Sequence, residues 1–267
     1  MKKVTALLLG IVLFWGMGLS CEAASHPLEK SQLQKIIDRG YLMVGTTGDF
    51  KPMSYYNQKT GTYEGFDIAA AQMIGKSLNV EVRFVKTTWP TLLQDTLDNK
   101  FDFAMSGITR TLARQQKADL SQGYITFGKT ALMRAGDEEK YPTLAAMNTK
   151  DVRVGVNPGG TNEKFVRQYL PEAVIVVHQK NAEIPGLVAE GTFDIMITDS
   201  MEAARYSKED PRLAAPLLET PFTKNNFAVM MKRSLNGDAS LLNYVNAWFD
   251  EMKLQGKLSE LEQKYIQ

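Results

Sequence analysis

A strand-then-helix grammar that runs twice along this chain limits its fold more than any other feature. In the first run, residues 42–46 are strand-like and residues 66–78 carry helical spacing. Residues 80–85 then alternate as a strand, Leu92, Leu93 and Leu97 mark a helix, and residues 101–105 give a third strand. The second run places strands at 152–156, 174–177 and 193–198, with helices at 163–170 and near 184–189. Strands that alternate with helices need crossover connections, so mainly parallel sheets covered by helices are expected. A helix at Leu33, Ile36 and Ile37, closed by Gly40, precedes the first run. A strand-like stretch at 227–231 and an amphipathic helix at 241–252 with Trp248 and Phe249 follow the second. The reading is an α/β fold of two lobes with a cleft between them.

Open α/β sheets bind ligands beyond the carboxyl ends of their strands. Four such ends carry small polar residues: 46–49, 106–109, 157–162 and 198–202. The most telling is Asn157-Pro158-Gly159-Gly160-Thr161-Asn162-Glu163, between a strand and a helix. Two glycines let the backbone turn tightly, and the N–H groups at a helix start favour an anion of carboxylate or phosphate size. The spacing is neither a P-loop nor a dinucleotide fingerprint, which argues against a nucleotide. A plain strand–helix turn is the other reading of the same residues.

Two further pairs could carry chemistry. Thr111 can cap a short helix and place Arg114 in its first turn, where a guanidinium can grip a carboxylate bidentately with help from Thr109. Arg114 could equally be a solvated charge beside Arg110 and Lys117. Asp199 and Glu202 have the spacing of a helix cap and its reciprocal partner. In the alternative reading, Asp199 meets a ligand ammonium and Glu202 is a buried, protonated acid facing the cleft. Phe50, Tyr55 and Trp89 are the nearest aromatic candidates to line that cleft, although aromatics are more often core.

Composition narrows the function. Lys2 and Lys3, the apolar stretch 6–19, and Ala23 and Ala24 form an export signal over residues 1–24. That stretch falls short of the ~20 apolar residues that span a bilayer. Gly18-Leu19-Ser20-Cys21 also resembles a lipoprotein cleavage box, so anchoring at Cys21 is the alternative to a free periplasmic protein. Removal of residues 1–23 leaves 29 basic and 29 acidic side chains, a balance that argues against nucleic acid or an anionic membrane surface as partner. Cys21 is the single cysteine, so no internal disulfide is expected. His26 and His178 lie too far apart for ligand spacing, and no metal site is expected.

From about Leu33 to Tyr265 the chain resembles the type II periplasmic solute-binding proteins of the polar amino-acid class. Gly107-Ile108-Thr109 with Arg114, followed by Lys117-Ala118-Asp119-Leu120-Ser121, is similar to that family's carboxylate-binding segment. The stretch 159–161 resembles its second-lobe carboxylate loop, and Asp199 its amino-group ligand. Within the class the chain is most similar to a subgroup of enzymes, the cyclohexadienyl dehydratases. The motifs are Thr46-Thr47-Gly48-Asp49-Phe50-Lys51-Pro52, Thr88-Trp89-Pro90, Ala104-Met105-Ser106-Gly107-Ile108, Gly128-Lys129-Thr130, Asn157 through Phe165, and Thr198-Asp199-Ser200-Met201-Glu202-Ala203.

The resemblance implies two mainly parallel sheets joined by two crossover hinge strands, near 125–131 and 219–227. Lobe 1 would hold 25–127 plus 226–267, and lobe 2 128–225. It implies Glu202 and Asn162 as catalytic residues, and Asp49, Trp89, Thr109, Arg114, Thr161 and Asp199 as substrate-binding. It also implies a small-molecule substrate, prephenate or arogenate, with no metal or organic cofactor. The alternative is an amino-acid receptor that serves an ABC permease. One departure stands out: where those enzymes carry Glu-Lys-Ala at the return hinge, this chain has Asn226-Phe227-Ala228. The resemblance implies that loss of the lysine at this position bears on activity or substrate preference and keeps the receptor alternative open.

Overall fold

The computed structural model describes residues 29–266, so the export signal at 1–24, Cys21 and His26 lie outside the described residues. The predicted grammar is present as two five-stranded sheets. In the first, Glu81–Lys86, Tyr41–Thr46 and Phe103–Ala104 run parallel, and Met230–Met231 joins antiparallel between Phe103–Ala104 and Asp119–Leu120. In the second, Val174–Val177, Arg153–Val156 and Ile195–Asp199 run parallel, and Lys129–Arg134 joins antiparallel between Ile195–Asp199 and Leu213–Ala214. Each sheet thus has a parallel heart and an antiparallel edge.

The chain crosses between sheets twice, on the paired strands Ile125–Phe127 and Asn225–Phe227. Phe127 and Phe227 stack at 3.9 Å between ring centroids, which packs the crossing. Every second residue of a strand faces the same side, so the register of the second sheet decides which polar groups meet. Asp199 lies directly opposite Lys129, and Thr198 opposite Thr130.

Each lobe buries its own apolar core. Leu42, Val44, Phe66, Phe103 and the returning Trp248 and Phe249 share one cluster. Val154, Val156, Phe165, Val166, Ile195 and Ile197 share another. The helix Ser240–Leu254 thus returns to the first lobe through its apolar face, as its spacing predicts.

Three local expectations change. Between the strand at 42–46 and the helix at 66–78, where the sequence pattern shows no strand, lies an antiparallel sheet of Asp49–Phe50, Ser54–Asn57 and Thr62–Glu64. The stretch read as one strand at 227–231 is two, the hinge strand Asn225–Phe227 and the antiparallel strand Met230–Met231 of the first sheet. The third strand of the first run contracts from 101–105 to Phe103–Ala104.

Candidate active site

The four polar strand ends converge. A narrow cavity of about 20 Å³ between the lobes is lined by Thr109, Thr161, Asn162, Asp199, Asn181 and Trp89, among others. The lobes touch across it. Thr109 and Thr161 share a hydroxyl hydrogen bond of 3.1 Å, Lys51 pairs with Glu209 at 3.2 Å, and Asn181 Nδ2 donates to the Asp49 carbonyl at 3.0 Å. A Cβ at Gly159, where φ is +76°, would come within 2.6 Å of Pro90 Cα. Glycine is needed there for both the left-handed turn and the close approach of the opposite lobe.

The first-lobe wall combines a cation with aromatic rings. Thr111 caps the short helix Leu112–Gln115 by accepting from the Arg114 N–H, as predicted. Arg114 Nη1 donates to the Thr109 carbonyl at 2.7 Å, which ties the guanidinium to the strand end. Burial lowers its pKa to about 10, and the Asp199 carboxylate opposes that shift. Phe50 and Trp89 line the cavity edge to face at 5.7 Å. Trp89 Nε1 donates to Asp49 Oδ1 at 3.0 Å, and burial pushes the Asp49 carboxyl up. Tyr55 belongs elsewhere. Its strand pairs it with Glu64 in register, and its hydroxyl donates to Glu64 Oε2 at 2.5 Å, on the wall of a separate depression.

The second-lobe wall is a connected polar network. Lys129 is 3% exposed. Its Nζ donates to Asp199 Oδ1 at 2.5 Å, to Thr161 Oγ1 at 3.0 Å and to Asn162 Oδ1. Asn162 Nδ2 lies 3.5 Å from both Asn157 Oδ1 and Thr198 Oγ1. Thr198 Oγ1 donates to Glu202 Oε2, and Asn181 Nδ2 donates to Glu202 Oε1 at 2.9 Å. Glu202 itself is fully buried, directly behind the cavity lining. Burial raises its pKa well above the ordinary carboxyl value, and Asp199 and Asp49 add to the shift against the hydrogen bonds from Thr198 and Asn181. Burial thus favours the neutral, proton-bearing form of the group. Burial also pushes Asp199 up, opposed by Lys129 and Arg114.

These contacts resolve the alternatives left by the sequence. Asp199 holds the N-cap position of the helix Ser200–Glu209 without a side-chain cap bond, and both Glu202 oxygens are engaged by side chains. The reciprocal capping geometry is absent at this pair. At the glycine turn, the helix Thr161–Tyr169 starts with Gly160 as a cap that has no side chain. The Gly159 N–H is not available to a ligand, because it donates to Glu163 Oε2 at 2.7 Å. No lysine stands at the return hinge, but a buried lysine adjoins the cavity from elsewhere. The amine comes from Lys129 on the outgoing strand, while Phe227 is fully buried against Phe127 and Phe50.

Sequence reasoning did not assign roles to Lys129 or Asn181. Lys129 opens the buried strand Lys129–Arg134, and nothing local to that strand marks its meeting with Asp199. Asn181 sits in a one-turn helix, Asn181–Glu183, and offered no signal.

Residues 42–267 match the bacterial extracellular solute-binding proteins, family 3, and the chain belongs to that family. Its two sheets joined by hinge strands are the type II periplasmic binding protein fold. Among its relatives is a cyclohexadienyl dehydratase of Pseudomonas aeruginosa, 37% identical over 245 residues that cover 92% of this chain and 90% of that protein. A glutamine-binding protein of an ABC transporter from Bacillus subtilis is 26% identical over 275 residues, 100% of this chain and 98% of its own. Among solved structures, an ancestral amino-acid-binding protein described as a precursor of cyclohexadienyl dehydratase superposes with a TM-score of 0.82 at 37% identity. That match covers 89% of this chain and 100% of the other. An ancestral cyclohexadienyl dehydratase is 51% identical with a TM-score of 0.56, over 90% of this chain and 98% of its own.

Proposed function

We propose that this protein is a periplasmic cyclohexadienyl dehydratase that converts prephenate to phenylpyruvate and arogenate to phenylalanine. The observation that carries this reading is Glu202, a fully buried carboxyl whose pKa burial raises, behind a cavity lining that is tied to Arg114 through Thr109 and to Lys129 through Thr161, Asn162 and Asp199. In the reaction the bond from the ring to its carboxylate breaks, and that electron pair enters the ring as carbon dioxide leaves. The ring C4–oxygen bond breaks at the other end, and the hydroxyl departs as water with the proton of Glu202. Aromatisation drives the conversion, and protonating a poor leaving group is typically worth ~10²–10⁴ in rate. Arg114 and Thr109 hold one carboxylate. Lys129, Thr161 and Asn162 face the other carboxylate or the departing hydroxyl, and exclusion of water by the closed lobes strengthens each interaction.

The competing receptor reading needs Asp199 free to meet an ammonium. Here Asp199 is already paired with Lys129, which an amino-acid ligand would have to displace. The hinge strands divide the lobes into 25–127 plus 226–267 and 128–225, and the lobes open to admit substrate. The more identical relative superposes less well over the whole chain, which is the pattern a change in lobe angle produces. The test is purified protein, freed of residues 1–24, with prephenate. Phenylpyruvate should form with saturation kinetics. No turnover, together with amino-acid binding in calorimetry, would replace this reading with the receptor.

A further inference from the structure

We infer that Asn181 is a positioning residue that fixes which oxygen of Glu202 carries the acid proton, and that lobe closure locks it in that role. The inference rests on the dehydratase reading for its catalytic consequence, but its geometry stands apart from it. Asn181 is 1% exposed and lines the cavity from the second lobe. Its amide nitrogen has two hydrogens, and both are used. One goes to Glu202 Oε1 at 2.9 Å and the other to the Asp49 carbonyl, across the cleft, at 3.0 Å. Its Oδ1 is buried with no hydrogen-bond partner.

The donor inventory then decides the proton's place. An amide nitrogen can only donate, whereas a threonine hydroxyl turns to donate or accept. Asn181 Nδ2 therefore makes Oε1 the carbonyl oxygen of the neutral acid, and the proton resides on Oε2, where Thr198 adapts. Oε2 is the oxygen linked through Thr198 to Asn162 on the cavity wall.

Asp49 is the closure sensor in this arrangement. With the lobes apart, its carbonyl is withdrawn and nothing on that side opposes a half-turn of the Asn181 amide. The flipped amide would present Oδ1 to Glu202 and draw the proton to Oε1, away from the Thr198 side. Closure restores the donor to Oε1. The charged and titratable groups that face Glu202 are Asp49 from the first lobe, Asp199 from the adjoining strand end, and Tyr206 on its own helix. Among the described residues the hydrogen bond to Oε1 comes from Asn181, and none is made to it by these three groups.

Asn181→Ala and the shape-preserving Asn181→Leu test this. Both should lose turnover by about 10²-fold, the scale of a misplaced reacting group, with KM changed by only a few-fold. The basic limb of the kcat profile should also move to higher pH, because loss of the Nδ2 donor removes a bond that favours the ionised carboxylate. A merely structural asparagine would lower stability without moving that limb. Wild-type kcat with an unshifted limb in either folded variant would overturn the inference.

Two measurements need no turnover. The infrared carbonyl band of protonated Glu202, assigned by its loss in Glu202→Gln, should shift to higher frequency in the Asn181 variants as the carbonyl loses its donor. In the wild type, the Asn181 side-chain amide protons should titrate with the midpoint of that band. A band unmoved by the variants, or amide protons indifferent to Glu202, would sink the positioning role even if the protein turns over prephenate. Should the wild type fail to turn over prephenate, these two readouts still decide the geometry by themselves.

Discussion

Asp67 in the first lobe and Glu202 in the second are both fully buried, yet their surroundings give them different work. Asp67 accepts from the Gly107 N–H at 2.5 Å and from the Tyr124 hydroxyl at 2.8 Å. Tyr124 is in turn stacked with Phe66 and Phe249, deep in the core. Glu202 is bonded instead to Thr198 and Asn181, in a network whose outer members line the cavity. Burial raises both groups, Asp67 to about 7 and Glu202 well above its ordinary value. Desolvation by itself therefore does not mark a reacting acid. What separates the two is where their partners lead. Asp67 holds the turn at Gly107, where φ is +64° and a Cβ would strike the Phe50 ring, and so keeps Thr109 in place. It is a strut, whereas the proposed dehydratase reading makes Glu202 a reagent.

The largest expected effect would break this contrast if it fell on the wrong residue. Glu202→Gln keeps the shape and both hydrogen-bond partners but removes the proton, so turnover should fall by ~10²–10⁴. Asp67→Asn should retain turnover to within a few-fold. Steady-state kinetics on the pair decides it: comparable losses from both, or a larger loss from Asp67→Asn, would refute the assignment.

The lobes also differ in how they balance buried charge. Asp67 has no cation among its partners, whereas Asp199 has Lys129, with both side chains nearly inaccessible. Removal of one member of a buried ion pair leaves the other uncompensated, at a typical cost of about 3–5 kcal/mol. Lys129→Met should lose that much in urea denaturation, and adding Asp199→Asn should restore a good part of it. A Lys129→Met protein as stable as the wild type would show that Asp199 is protonated in the folded state and the pair is not ionic.

Arg114→Ala tests the claim that the first-lobe wall binds while the second reacts. Breaking a desolvated charge contact with a substrate carboxylate should cost about 2–5 kcal/mol of affinity. The loss should fall mainly on KM, with kcat reduced far less than in Glu202→Gln. A defect confined to kcat would mean that Arg114 acts on the transition state.

The contrast between the lobes also explains what the sequence made legible. The alternation of strands and helices is a hydrophobic-period signal, and it foretold both sheets and the return of Trp248 and Phe249. The small sheet at Asp49–Phe50, Ser54–Asn57 and Thr62–Glu64 was missed because its residues read locally as turn and polar loop. At the site, the strand-end residues Thr109, Thr161, Asn162 and Asp199 could be seen because their positions follow from fold class. Lys129 could not, because its meeting with Asp199 depends on antiparallel register between segments 70 residues apart. Asn181 was more remote still, since its contact with Asp49 crosses the cleft over 132 residues of chain. At position 227 the sequence showed a phenylalanine where the enzymes it resembles carry lysine, and that ring packs between Phe50 and Phe127 at the hinge.

The smallest effect sharpens the contrast through pH. Asp67 has its folded pKa raised from 3.8 to about 7. Between those values the unfolded chain has released a proton that the folded chain keeps, so stability must fall as pH rises through the window. The slope for one proton is about 1.4 kcal/mol per pH unit, and it flattens once the folded group also ionises. Asn cannot ionise, and it offers one acceptor and one donor as the neutral acid does. Asp67→Asn should therefore remove that slope up to about pH 7 and leave the profile above it unchanged. Glu202→Gln should remove a slope of the same sign that begins near 4.5, because burial raises Glu202 as well. Urea denaturation across the neutral and mildly alkaline range reads both. If the Asp67→Asn profile runs parallel to the wild type, Asp67 is ionised in the folded state, and the first lobe holds its binding turn with a buried charge rather than a neutral acid.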